Sequence, residues 1–246
     1  MGPQNRLLNS LPREVLDRLK QHMQTVVLKN GAVLHRPGQT IDDVYFPLDC
    51  LISVTVTMFE ARTAEAGIVG SREMVGVNAF MGGRETNQTK YICQAPGTAI
   101  RMPAGPLLLE FDLVKAVRDV MLRYTQAYIA QLSQNVACNR LHLTKQRLAR
   151  WMLECRDRLG TDDLSLTHEF IGQMLGVRRA GVTEAAGELQ RRGLIKYGRK
   201  ELRIVDAAGL EQVSCECFRV IRDEYDRLLG MVPGRVDSLD SSPRRA

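Results

Sequence analysis

From Leu107 to Leu159 the chain has no glycine or proline, whereas residues 25–103 are broken up repeatedly by both. A stretch without breakers can run on as helix, and one this long exceeds the width of an ordinary domain. The chain must therefore divide into a region before this stretch and a region after it. A single helix of that length is unusual, so a break is expected near Cys138–Thr144. Val117, Met121, Tyr124, Tyr128, Gln131 and Asn135 repeat at about 3.5 residues, the spacing of a helix that pairs with a second copy of itself. The alternative is that this stripe covers the preceding domain of the same chain. The expected divisions are 1–106, 107–143, 144–230 and 231–246.

The first region reads as β structure. Residues 12–22 form a short amphipathic helix with Val15, Leu16 and Leu19 on one face. The runs TVVLKNGAVLHRPGQ, VYFPLDCLISVTVTM and EAGIVG then bring β-branched residues separated by Asn-Gly, Pro-Gly and Gly. Asn30-Gly31 is a hairpin signal because both positions tolerate positive φ. Val54, Val56 and Met58 alternate with Ser53, Thr55 and Thr57, which turns one face inward. Further strands are expected at Lys90–Gln94 and Thr98–Met102, split at Pro96-Gly97. Such short, closely spaced strands point to a sandwich or barrel over residues 25–103.

Charge separates the third region from the rest. The 246 residues carry 34 basic and 28 acidic side chains, a formal net charge of +6. Residues 1–138 hold 14 basic and 12 acidic groups, residues 139–205 hold 14 and 8, and residues 206–246 hold 6 and 8. The excess therefore lies in 139–205, as expected for a partner with a phosphate backbone. A solvated basic face without a partner would give the same count. No apolar run reaches the roughly 18 residues of a membrane span. The N-terminus lacks a signal-peptide core, so a cytoplasmic protein is expected.

Leu166–Gly176 and Arg178–Arg192 read as two helices around a tight turn. Gly172 stands where they cross, and Gly176 takes the turn. Ile171, Leu175, Val177, Val182, Ala185 and Leu189 lock the pair, the signature of a helix-turn-helix. RGLIKYGRKELRIVD then gives a basic hairpin, which completes a winged module.

The stretch LTHEFIGQMLGVRRAGVTEAAGELQRRGLIKYGRKELRIVD resembles the DNA-binding domain of the cAMP-receptor-protein and fumarate-nitrate-regulator (CRP/FNR) family. RPGQTIDDVYFPLDCLISV and SREMVGVNAF resemble that family's cyclic-nucleotide-binding-type β-roll. The resemblance spans about residues 12–205. It implies an α+β chain with a β-roll, a long central dimerisation helix and a C-terminal winged helix-turn-helix. It further implies a cytoplasmic homodimer on double-stranded promoter DNA, RNA polymerase as a partner, and a small-molecule effector.

Family contacts carry over only where the residues match. Arg179 matches the first base-reading arginine, and its planar fork suits guanine O6 and N7. Ala180 stands in place of the expected Glu, and Glu184 where an Arg is often found. Glu184 could accept from a cytosine amino group or pair with Arg191 or Arg192. Arg178 is a candidate phosphate clamp, and Thr183 shares the outward face. Thr167 is a candidate helix cap with His168 beside it. Arg199 and Lys200, at the wing tip, are expected phosphate contacts.

Cyclic-nucleotide binders in the family use a Gly-Glu pair and, about ten residues on, an Arg-Ser pair. Here Ser71-Arg72-Glu73 and Gly82-Gly83-Arg84-Glu85 occupy those places. Glu85 would repel a cyclic phosphate, so cAMP is not expected. Glu73, Arg84 and Ser133 remain as an effector set for some other anionic ligand.

Cys50, Cys93, Cys138, Cys155, Cys215 and Cys217 are scattered, only the last two are close in sequence, and the four His are isolated. No metal site or iron–sulfur cluster is expected. With no GKS/T loop, HExxH or GxSxG motif, catalysis is not expected. The competing reading is a cyclic-nucleotide or other small-ligand module whose main role is not promoter binding. GLEQVSCECFRVIRDEYDRLL reads as a further helix packed on the winged module, and residues 231–246 as a disordered tail.

Overall fold

The computed structural model describes residues 4–59, 63–83, 89–164, 168–198 and 201–230. Arg84, Glu85, Thr167, Arg199, Lys200 and the tail 231–246 lie outside them.

Two short helices, α1 (Arg6–Asn9) and α2 (Arg13–Leu19), lead into seven strands. These are β1 (Gln24–Leu28), β2 (Val33–His35), β3 (Asp43–Pro47), β4 (Leu51–Thr57), β5 (Thr63–Val69), β6 (Thr89–Ala95) and β7 (Gly97–Pro103). They form two antiparallel sheets, ordered β1-β7-β3 and β2-β6-β4-β5. Helices α3 (Ala104–Leu113), α4 (Lys115–Leu141) and α5 (Thr144–Leu159) follow, with the break at His142–Leu143. Strands β8 (Asp163–Leu164), β9 (Ile195–Tyr197) and β10 (Leu202–Ile204) pair in the order β8-β10-β9, around α6 (His168–Leu175) and α7 (Arg179–Arg191). Helices α8 (Ala207–Val213) and α9 (Cys217–Leu229) end the described chain. No described helix is long and apolar enough to cross a membrane.

Asn30-Gly31 does not close a hairpin. Gly31 takes the expected positive φ of 79°, but β1 pairs with β7 and β2 pairs with β6, in different sheets. The chain likewise changes sheet between β6 and β7. A Cβ at Gly97 would lie 2.7 Å from the Asp49 carbonyl oxygen, so only glycine fits there. Asp49 Oδ1 accepts from the Thr98 amide at 2.5 Å and the Thr98 hydroxyl at 2.7 Å, which fixes the crossover.

The stripe Val117, Met121, Tyr124, Tyr128, Gln131 and Asn135 is not an interface between copies. All six side chains are buried within the chain. The Tyr124 hydroxyl donates to the Met74 carbonyl at 2.9 Å, Gln131 donates to the Ile68 carbonyl at 3.2 Å, and Asn135 to the Ala66 carbonyl at 2.9 Å. The buried amides thereby satisfy the β-roll backbone, as buried polar groups must. Gln131 and Asn135, polar residues ill suited to a coiled-coil seam, are the links to β5. The opposite face of α4 exposes Leu122, Ile129 and Val136.

Helix α9 also departs from expectation. It lies mainly along α4 rather than on the winged module. Ile221, Tyr225, Leu228 and Leu229 join the β-roll core, and the Tyr225 hydroxyl donates to Gln131 Oε1 at 2.7 Å.

A second core holds Leu148, Trp151, Met152, Ile171, Leu175, Val182, Leu189, Leu202 and Leu210, together with Leu51 and Ile68 from the β-roll. The winged module is therefore docked on the sheet β2-β6-β4-β5. This explains why Ser53 and Thr55, the polar face of β4, are buried. Ser53 donates to Glu65 Oε2 at 2.5 Å, and Trp151 Nε1 donates to Glu65 Oε1 at 2.8 Å, so one carboxyl links β4, β5 and α5.

Candidate nucleic-acid interface

The two helices of the motif meet where side chains are smallest. A Cβ at Gly172 would stand 2.9 Å from the Val177 carbonyl oxygen, and the Val177 amide donates to the Gly172 carbonyl at 2.9 Å. Gly176 turns the chain at φ 63°. Arg178 is extended before α7, and its carbonyl accepts from the Gly181 amide at 2.9 Å.

The 3.6-residue period then sorts α7 into two faces. Val182, Ala185, Ala186 and Leu189 are buried, while Arg179, Ala180, Thr183 and Glu184 are exposed, as is Arg178 ahead of them. The Thr183 hydroxyl donates to the Arg179 carbonyl at 3.1 Å. Arg192 pairs with Glu188 at 3.4 Å, and Glu188 also meets Lys145 at 2.5 Å. Among the described residues Glu184 makes no ion pair. The partner proposed for it on the helix is taken up by Glu188. Gln190 accepts from the Tyr197 amide at 2.8 Å, which ties the wing to α7. Arg191, Arg192, Lys196 and Arg203 add exposed positive charge around this face. Arg178 and Arg179 also line an open cleft of about 930 Å³ that Thr55, Thr57, Met58 and Lys90 bound from the β-roll. Of the remaining expected contacts, His168 begins α6.

Of the effector set, Arg84 lies outside the described residues, and Glu73 and Ser133 are not brought together. Glu73 is fully buried and ion-paired to Arg158 at 2.9 Å, and it accepts from the Gly70 amide at 2.6 Å. Its neighbour Arg72 pairs with Asp157 at 2.9 Å and Asp226 at 2.5 Å. Residues 70–73 thus clasp the β-roll to α5 and α9, and Glu73 has no free oxygen for a ribose. Ser133 is exposed on α4, apart from that buried clasp.

The picture of dispersed cysteines and isolated histidines fails at one place. Cys138, His142, Cys215 and Cys217 bring one ligand atom each to within 4.8 Å of one another. The closeness of Cys215 and Cys217 is visible in the sequence, and the signal that completes it is the i, i+4 spacing of Cys138 and His142.

Residues 146–213 match the family model described as the Crp-like helix-turn-helix domain. The chain is 25% identical over 194 residues to the transcriptional regulatory protein btr of Bordetella pertussis, spanning 72% of this chain and 78% of that protein. It is 25% identical over 205 residues to the transcriptional regulator SdrP of Thermus thermophilus, spanning 80% and 96%. The crystal structure of a CRP/FNR-family transcriptional regulator from Thermus thermophilus shares the fold, with a TM-score of 0.62 at 21% identity over 78% of this chain and 98% of that one. Residues 146–213 thus form a Crp-like helix-turn-helix domain carried behind a β-roll and a long helix, and along most of its length the chain is similar to DNA-binding transcription regulators of the CRP/FNR type.

Proposed function

We propose that the protein acts as a cytoplasmic homodimer that sets two copies of α7 on an inverted repeat in promoter DNA, beside RNA polymerase. The observation that carries this reading is the two-faced α7, with its apolar side locked in the module and Arg179, Thr183 and Glu184 offered outward. Arg179 reads a base, and Arg178 with the wing holds phosphates. The chemistry is binding rather than catalysis, under an effector other than cAMP, since the carboxylate of Glu73 is committed to Arg158.

The dimer seam in this reading is the outer face of α4. Leu122, Ile129 and Val136 recur every seven residues and are 50%, 54% and 72% exposed. Gln126, Ser133 and Arg140 fill the alternate places, all exposed. Large apolar groups at a heptad interval are what a paired helix requires. Ile129→Asp puts two carboxylates into that seam, a cost of several kcal/mol without partners. Sedimentation should show the variant as monomer with unchanged helix content. A variant that stays dimeric would remove α4 from the interface.

A further inference from the structure

We infer that Cys138, His142, Cys215 and Cys217 form a mononuclear Cys3His zinc site that pins both ends of the DNA-binding module at one point. The bond lengths fit one ion. With Zn–S near 2.3 Å, a tetrahedron has S···S edges of about 3.7 Å and slightly shorter S···N edges. Cys138 Sγ lies 3.5 Å from Cys215 Sγ, and Cys217 Sγ lies 3.5 Å from His142 Nδ1. A polynuclear iron–sulfur cluster would hold its ligands farther apart, because several irons stand between them. A disulfide needs sulfurs about 2.05 Å apart. Three thiolates and an imidazole in a tetrahedral arrangement select zinc.

The surroundings are those of a built site. The three thiols are at most 3% exposed and cluster by themselves, outside both main cores. Gln134, one turn before Cys138, donates to Cys217 Sγ at 3.1 Å. Glu216 Oε2 lies 3.3 Å from His142 Nε2. A carboxylate on the far nitrogen fixes the ring and leaves Nδ1 as the ligand, the usual outer support of a zinc histidine. Binding releases three thiol protons to solvent and leaves one net negative charge on the centre. Arg147 and Arg150, from the first two turns of α5, act on it electrostatically.

Location gives the site its role. Cys138 and His142 close the end of α4, immediately before the break that leads into α5. Cys215 sits between α8 and α9 and Cys217 begins α9, where the chain leaves the winged module. One ion would therefore hold α4 and the module's two ends together. That role rests on the DNA-binding reading, but the metal content does not.

The test uses the full chain, purified under reducing conditions and supplied with zinc. Elemental analysis should give one zinc per chain, and titration with a mercurial should release it as three thiols react. Cobalt(II) in its place should show the intense visible bands and near-ultraviolet thiolate charge transfer of a tetrahedral site. Cys217→Ser and His142→Ala should lose most of the metal, whereas Cys93→Ser should keep it. The mercurial and cobalt readings on the unaltered chain decide the matter even if a variant fails to fold. Reduced protein that takes up no zinc, a Cys138–Cys215 disulfide in its place, or an octahedral cobalt spectrum would overturn the site. Zinc bound at full stoichiometry by a chain that ignores DNA would leave the site standing and remove the regulator reading instead.

Discussion

Glu73→Ala should destabilise the protein severely while removing no ligand contact. Glu73 is 0% and Arg158 3% exposed at the side chain, so neither charge is solvated by water. Without Glu73, Arg158 keeps, among the described residues, the Glu154 carbonyl at 3.3 Å and the Glu154 carboxylate at 3.8 Å. Breaking a buried pair from one side costs about 3–5 kcal/mol, most of it from the stranded charge. For a chain of this length that corresponds to a fall in Tm of roughly 10 °C. Replacing both members, as Glu73→Met with Arg158→Met, removes the stranded charge and should recover most of the loss. Guanidinium unfolding followed through Trp151, the one tryptophan, reads the seam between α5 and the β-roll directly. A loss below about 1 kcal/mol for Glu73→Ala, or a double variant no better than the single one, would refute the clasp. It would also return Glu73 to the candidate effector site.

Burial pushes the Glu65 carboxyl up to about 7. Stability from this raised group is complete below its ordinary value near 4.5 and is lost as pH rises through 7. Glu65→Gln removes the charge and still bonds both partners, its amide oxygen accepting from Trp151 and its NH2 donating to the Ser53 hydroxyl. It should therefore match wild type near pH 4.5 and exceed it by about 1–3 kcal/mol at pH 8, the upper end reduced because the residue keeps some solvent contact. Unfolding curves with a pH-independent offset would contradict this. Gly172→Ala should cost about 1–3 kcal/mol and weaken DNA binding, because its Cβ meets a backbone carbonyl that cannot yield. Gly187→Ala, whose Cβ would meet nothing nearer than Arg191 Nη1 at 3.9 Å, should stabilise α7 by up to about 1 kcal/mol. Equal effects from the two alanines, measured by thermal unfolding, would count against the crossing at Gly172.

What was legible in the sequence was local. The helix-turn-helix could be read because Gly172, Gly176 and the apolar set from Ile171 to Leu189 lie within one short stretch and need no distant partner. Strand positions were legible for the same reason. Strand partners were not: Asn30-Gly31 fixes a turn but does not say that β1 pairs with β7, far along the chain. Helix α4 shows the limit most clearly. Two stripes on it share a heptad-like period, and only the β-roll surface decides that Tyr124, Gln131 and Asn135 face it while Leu122, Ile129 and Val136 face out. Glu73 reads as a free carboxylate until α5 brings Arg158 against it. The Cys-His cluster joins residues 77 positions apart, and its halves looked like ordinary core residues one at a time.

Selection of bound duplexes from a random pool, at stated salt, tests the central claim most directly when run in parallel on the wild-type chain and Arg179→Ala. Wild type should enrich an inverted repeat with half-sites about one helical turn, roughly 34 Å, apart. Arg179→Ala should lose preference at one position in each half-site and bind the selected DNA about 1–3 kcal/mol more weakly. Enriched sequences without two-fold symmetry, or an unchanged preference in Arg179→Ala, would contradict a dimer that reads DNA through the exposed face of α7.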